Sequence, residues 1–239
     1  MLALSVRSNL AGLTLVAVGT VASALVVACD AKDEGGGGTP ATQPTSTATT
    51  PRPPPSGPEE TPTNPDPLTD PAQGTCQLAP GTFYGFTLQT LTYKEAVPTC
   101  RFEGKVLLVV NVASQCGYTP QYAPLEALYQ KYKSQGFYVL GFPSRSFNQE
   151  YADEKDISAF CTNEYKITFP MFSLANVNPP DEQPLYTWLK AQPGYEAPIP
   201  WNFEKWIVSK KGTIAKRVAY TTDPSAPEVT AAIEAELAK

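Results

Sequence analysis

The sequence predicts an α/β fold with a central mixed sheet flanked by helices, and three observations lead there. An uninterrupted apolar run at 106–110, VLLVV, has the composition of a strand buried on both faces. Segments with apolar residues at helical spacing alternate with short apolar segments through the middle of the chain. Near the C-terminus, Lys210-Lys211-Gly212 separates two strand-like segments and reads as a hairpin turn.

Taken in order, residues 83–90 and 106–112 read as strands. Residues 121–134 read as a helix, with Tyr122, Leu125, Leu128, Tyr129 and Tyr132 on one stripe and Gly136 at the C-cap. A short apolar strand is expected at 137–142, then a helix at 153–165 that turns Ile157, Phe160 and Cys161 inward or partly so. Residues 169–173 read as a strand beginning near Pro170, and 183–192 as a helix. Residues 206–209 and 213–218 flank the hairpin turn. Pro227 can open the last helix at its first position, with Val229, Ile233 and Leu237 on the inner face. This order is consistent with a thioredoxin-like fold.

The N-terminal part differs in kind. Residues 1–28 carry Arg7 and then a long apolar run that closes on Val26-Val27-Ala28-Cys29. Small or aliphatic residues ahead of a cysteine, after an apolar stretch, resemble a bacterial lipoprotein signal; a generic signal peptide or a membrane-spanning anchor are the other readings. We expect cleavage before Cys29 and lipidation of its sulfur, which would anchor the protein to a bacterial membrane on its extracytoplasmic side. Residues 29–75 contain Gly35-Gly36-Gly37-Gly38 and PRPPP at 51–55, with Thr, Ser and Pro in much of the remainder. So few large apolar side chains cannot bury a core, and the segment reads as a disordered tether. Residues 76–239 are expected to form one domain.

The net charge of −5 and the lack of a basic patch argue against nucleic-acid binding. The chain has no histidine, which excludes Cys-His catalysis and His-bound metals. No metal or other cofactor is expected. The five cysteines form no CxxC pair, which disfavours a general disulfide oxidoreductase.

The stretch NVASQCGYTPQY at 111–122 is the most informative. It places Cys116 in a turn between the buried strand and the start of a helix. Partial positive charge and unpaired N–H donors at that helix end favour a thiolate, the form that attacks a peroxide oxygen. A small buried thiol in an ordinary turn is the other reading of position alone.

In its setting, GKVLLVVNVASQCGYTPQY at 104–122 resembles the glutathione peroxidase family, in which NVAS is followed by a variable residue, then Cys or selenocysteine, then Gly. The resemblance runs from about Phe83 to the C-terminus. It continues through GFPSRSFNQE at 141–150, where the family usually shows GFPCNQFGxQE, and through ISAFC at 157–161 and FPMF at 169–172. PLYTWLK at 184–190 and WNFEKWIVSKKG at 201–212 complete it. It implies a thioredoxin fold and a tetrad in which Gln149, Trp201 and Asn202 surround the nucleophile Cys116. Amide and indole N–H groups there would favour the charged sulfur and the leaving oxygen. In the family branch that uses two cysteines, Cys161 matches the resolving residue, although a thiol that merely packs is the alternative.

Two departures stand out. Ser144-Arg145-Ser146 replaces the family's Cys-Asn-Gln, and the segment is one residue shorter before Gln149, which puts its reach to Cys116 in question. Arg145 either adds positive potential at the site or points to solvent. The family's long oligomerisation insert is missing between Lys190 and Trp201, so a monomer is expected. Cys76 and Cys100 lie outside the family's redox positions. In an oxidising compartment a structural disulfide between them is the simplest pairing, and an accessory redox thiol the alternative.

The function expected is that of a thiol peroxidase. Cys116 would reduce hydrogen peroxide or organic and lipid hydroperoxides, pass through a sulfenic acid, and close a disulfide with Cys161. A thioredoxin-like protein, rather than glutathione, would restore the dithiol. A peroxide sensor that hands its disulfide to a partner is the competing reading, and a cell-surface binding domain on a degenerate scaffold a further one.

Overall fold

The structure, a computed structural model, describes residues 76–92 and 94–239. The signal peptide, lipidated Cys29 and tether fall outside the described residues.

The centre of the domain is a four-stranded sheet in the order β4-β3-β5-β6. β3, Val106–Val112, is buried along its whole length. It pairs in parallel with β4, Phe137–Pro143, and antiparallel with β5, Lys205–Val208. β5 continues antiparallel into β6, Ile214–Val218, through a turn in which Gly212 adopts a φ of 75°. The sheet is therefore mixed. A two-stranded ribbon, β1 at Thr87–Gln89 and β2 at Ala96–Pro98, lies before it in the chain.

Because successive strand residues face opposite sides, β3 feeds two cores. Leu108, Val110 and Val112 pack with Tyr122, Leu125, Leu128 and Tyr129 of α1, Tyr122–Tyr132, and with Val229 and Ile233 of α4, Pro227–Leu237. Ile157 and Cys161 of α2, Glu154–Tyr165, belong to the same core. Leu107 and Val109 face the other way, toward Phe142, Phe172, Trp206, and Leu185, Tyr186 and Leu189 of α3, Pro184–Lys190.

Local chemistry sets most element ends. Gly136 takes a left-handed conformation, φ 87°, where the helical segment after β3 gives way to β4. Asp153 caps α2 by accepting from Lys155 N. Pro184 and Pro227 open α3 and α4 as first-turn prolines.

Two expected strands are corrected. Residues 83–90 are not one strand: Thr82 Oγ1 accepts from Tyr84 N at 3.1 Å, the chain turns in a 3-10 helix over Phe83–Gly85, and only Thr87–Gln89 is extended in the ribbon. Residues 169–173 form no strand either. Pro170 has no N–H to give a ladder, and the segment makes only the isolated bridges Thr90↔Phe172 and Gly141↔Met171.

Candidate active site

β3 delivers the chain to the site. Beyond Val112 it turns sharply, and Thr119 closes that turn: its Oγ1 accepts from Cys116 N at 3.0 Å and donates to Ala113 O at 2.8 Å. Thr119 N also donates to Cys116 O at 3.0 Å. The chain then enters a 3-10 turn over Thr119–Gln121 that leads into α1. Tyr118 N lies 3.3 Å from Cys116 Sγ and donates to it. Cys116 is 7% exposed, with exposed Gln115 and Gly117 on either side.

The segment after β4 supplies Gln149. Asn148, at φ 55°, and a bond from Asn148 N to Arg145 O at 2.9 Å turn the chain back toward the Cys116 turn. Gln115 N then donates to Gln149 O at 2.9 Å, which pins Gln149 beside the residue preceding Cys116. The shortened segment does not carry Gln149 away. Ser144 and Ser146 serve the backbone instead: Ser144 Oγ accepts from Ser146 N at 3.2 Å, and Ser146 Oγ from Val177 N at 3.0 Å. Arg145 is exposed.

The third segment of the site is the turn ahead of β5. Asn202 is fully buried, and its Nδ2 donates to Gln149 Oε1 at 3.0 Å. With its oxygen accepting, the Gln149 amide keeps its two Nε2 hydrogens to donate. Half-buried Trp201 packs its ring 5.1 Å from Phe147. Asn111, in β3, holds this turn: Nδ2 donates to Trp201 O at 3.1 Å, and Asn111 O accepts from Phe203 N at 2.6 Å. Phe203 adopts a φ of 70°, a left-handed conformation that costs a bulky residue roughly 1 kcal/mol or more and that its packing against Tyr122 must sustain.

Cys161 lies on α2, 3% exposed and unbonded to Cys116. Its Sγ donates to Tyr122 Oη at 3.5 Å. Burial pushes its thiol up to about 12; the Tyr122 contact opposes this and the field of Glu150 adds to it. Tyr122 is itself held protonated, first by burial and then by neighbouring Cys161 and Glu150. Glu150 joins the two cysteine regions. Its Oε1 accepts from Ser114 N at 3.1 Å and Tyr151 N at 2.9 Å, and burial raises its carboxyl above the usual range.

Three separate segments are thus linked: the Cys116 turn to Gln149 through the backbone of Gln115, and Gln149 to Asn202 through their side chains, with Trp201 on the same turn as Asn202. Cys76 and Cys100 are bonded, with Cα atoms 5.8 Å apart. Among the described residues no cluster of three or more His, Cys, Asp or Glu could hold a metal. Glu150 and Thr119 escape a reading of residue types. Thr119 had a usable signal, a hydroxyl residue three places after the cysteine in a turn. Glu150 had none beyond its place next to Gln149.

The model of the glutathione peroxidase family matches residues 83–190. A glutathione peroxidase-like peroxiredoxin of Schizosaccharomyces pombe is 47% identical over 131 residues, covering 53% of this chain and 82% of that protein. The chain belongs to the glutathione peroxidase family. A hydroperoxy fatty acid reductase of Synechocystis is 43% identical over 165 residues, covering 65% of this chain and 96% of that protein. Among solved structures, apo Trgpx superposes with a TM-score of 0.54 at 35% identity, over 66% of this chain and 97% of that one. The residues matched by the family model include Cys116, Gln149 and Cys161.

Proposed function

We propose that this glutathione peroxidase is a thiol peroxidase that works with two cysteines and a thioredoxin-like reductant. The observation that carries the reading is that Cys116 Sγ receives an N–H from Tyr118 while its neighbour Gln115 is bonded through the backbone to Gln149, whose side chain accepts from Asn202. A donor aimed at the sulfur stabilises negative charge there, and we assign the Gln149 and Asn202 amides the stabilisation of the oxygen that leaves. Cys116 thiolate attacks the distal peroxide oxygen, the O–O bond breaks, and the departing oxygen leaves as water or an alcohol once protonated. The sulfur becomes a sulfenic acid. Cys161 sulfur then attacks it, losing its proton as the sulfenic hydroxyl leaves as water, and a Cys116–Cys161 disulfide remains.

Burial accounts for the order of events. While α2 is closed, Cys161 is a protonated, enclosed thiol and cannot compete with Cys116 for peroxide. We infer that α2 opens locally around Cys161 during this step, because Cys161 is buried in the core. The new disulfide is then the substrate of a dithiol protein, which reduces it by exchange. Relatives named as peroxiredoxins and as a hydroperoxy fatty acid reductase support this cycle and an organic hydroperoxide substrate.

The test is turnover with t-butyl hydroperoxide, followed as NADPH consumed through thioredoxin and its reductase or through glutathione and its reductase. Turnover with thioredoxin and little with glutathione is expected. Cys116→Ser abolishes turnover. Cys161→Ser still consumes one equivalent of peroxide but stops there. A Cys161→Ser protein that turns over normally with thioredoxin contradicts the two-cysteine cycle.

We propose that this activity lies outside the cytoplasm, on a protein held by lipid at Cys29 through the tether at 29–75 after removal of 1–28, a reading supported by the apolar run that closes on Cys29; the short segment between Lys190 and Trp201 supports a monomer. Full-length protein should partition with membranes, and its mature N-terminus should be a Cys29 that carries a lipid mass; a membrane-bound protein with an unmodified Cys29 overturns the anchor.

A further inference from the structure

Lys205 is fully buried at the start of β5, next to the turn that carries Trp201 and Asn202. Its ammonium is held by carbonyls. Nζ donates to Phe203 O at 2.8 Å, to Ala219 O at 3.3 Å and to Thr222 O at 2.9 Å, so each of its three hydrogens has an acceptor. Burying an ammonium is costly, and an apolar chain of similar length fills such a space at no electrostatic cost. A lysine here is therefore poorly explained by packing.

The three carbonyls belong to two parts of the site. Phe203 O lies on the strained turn that sets Asn202 against Gln149. Ala219 and Thr222 bracket the segment after β6, which Gln121 also grips through Nε2 to Tyr220 O at 2.7 Å. Thr221 and Asp223 of that segment, with Gly117, Tyr118 and Gln121, line a shallow groove beside Cys116.

We propose that Lys205 is a positioning residue for peroxide reduction: its buried ammonium ties the 201–203 turn to the groove wall at 219–222 and so fixes Trp201 and Asn202 against Cys116. The inference rests on the peroxidase reading above. The charge is what does the tying, because a neutral amine has only two hydrogens for three carbonyls.

The surrounding charges are few. On its own strand side stands Glu204, whose carboxylate is engaged by Arg217 Nε of β6 at 2.7 Å and by Tyr220 N at 2.8 Å. The segment after β6 contributes exposed Asp223, and α4 begins with exposed Glu228. From α1 comes Tyr122, buried and protonated, packed on Phe203. On β3, Val110 is its register partner, followed by the uncharged Asn111. Desolvation outweighs Glu204 and Asp223 and lowers the Lys205 ammonium to about 8. The tie should therefore slacken just above neutral pH.

Stopped-flow measurement of Cys116 oxidation by hydrogen peroxide, from about pH 6 to about pH 10, tests this. In the wild type the rate falls on the alkaline side with a midpoint near 8, where the ammonium titrates. Lys205→Met oxidises roughly 10–100-fold more slowly at neutral pH, as for a small misplacement of catalytic groups, and shows no alkaline fall. Its later step, closure of the Cys116–Cys161 disulfide, keeps the wild-type rate. A variant with the wild-type rate and profile overturns the proposal. So does one that loses both steps together with its thermal stability, because that is a merely structural role. If Lys205→Met does not fold, a wild-type profile without the alkaline fall overturns it alone. Wild-type protein whose Cys116 resists peroxide at every pH would sink the peroxidase reading instead, and this inference with it.

Discussion

Cys116 and Cys161 are both buried thiols in opposite surroundings. Cys116 faces an N–H from Tyr118, whereas Cys161 faces a tyrosine hydroxyl and the field of a buried carboxyl. Asn202 holds Gln149 in place, so Asn202→Ala is expected to slow oxidation of Cys116 by about 10–100-fold, measured in single turnover, with the fold intact by circular dichroism. A loss under about threefold would remove Asn202 from the chemistry. The second cysteine has a stability signature. Its folded value of about 12 lies above the ordinary 9.0, so the folded chain keeps a proton that the unfolded chain gives up. That contribution is fully present below the ordinary value and is lost as pH rises toward the folded one. Thermal stability of the reduced protein should fall from about pH 9 toward about pH 12, and less steeply in Cys161→Ala; equal slopes would contradict the burial argument.

At the scale of elements, β4 crosses the 169–172 segment closely at Gly141. A Cβ on Gly141 would fall against Met171 Sδ and 3.0 Å from Phe169 Cε2. Gly141→Ala should lower stability by about 1–3 kcal/mol, read as a shifted denaturant midpoint at unchanged slope. An unshifted midpoint would mean that Met171 simply moves aside. This crossing also marks where the sequence stopped being legible. β3, α1 and α4 were readable because burial on one stripe or both faces writes itself into residue spacing. The 169–172 segment shows the same composition as a strand, but pairing is decided by Pro170 and by what lies across from it. The site divides the same way. Cys116 stands out in a local motif. Gln149 and Asn202 meet across 53 positions, and only the family resemblance singled them out. Thr119, Glu150 and Lys205 act through backbone groups, which residue identity does not reveal.

On the scale of the whole molecule, one covalent link stands apart from the redox pair. Cys76–Cys100 joins the segment ahead of β1 to the 3-10 turn, Thr99–Phe102, that precedes β3. It closes a loop with a sequence separation of 24 and should contribute about 2–4 kcal/mol. Cys100→Ser should therefore melt at a lower temperature yet oxidise Cys116 at the wild-type rate; an equal loss of peroxidase activity would make the pair part of the redox chemistry. The central claim is that one molecule of peroxide produces a bond between two cysteines that are separate in the reduced fold. It is tested most directly by treating the domain, with Cys116 and Cys161 reduced, with one equivalent of hydroperoxide and mapping disulfides by mass spectrometry. A new Cys116–Cys161 bond with Cys76–Cys100 unchanged is the predicted result. A sulfenic or overoxidised Cys116 beside a free Cys161 would contradict it.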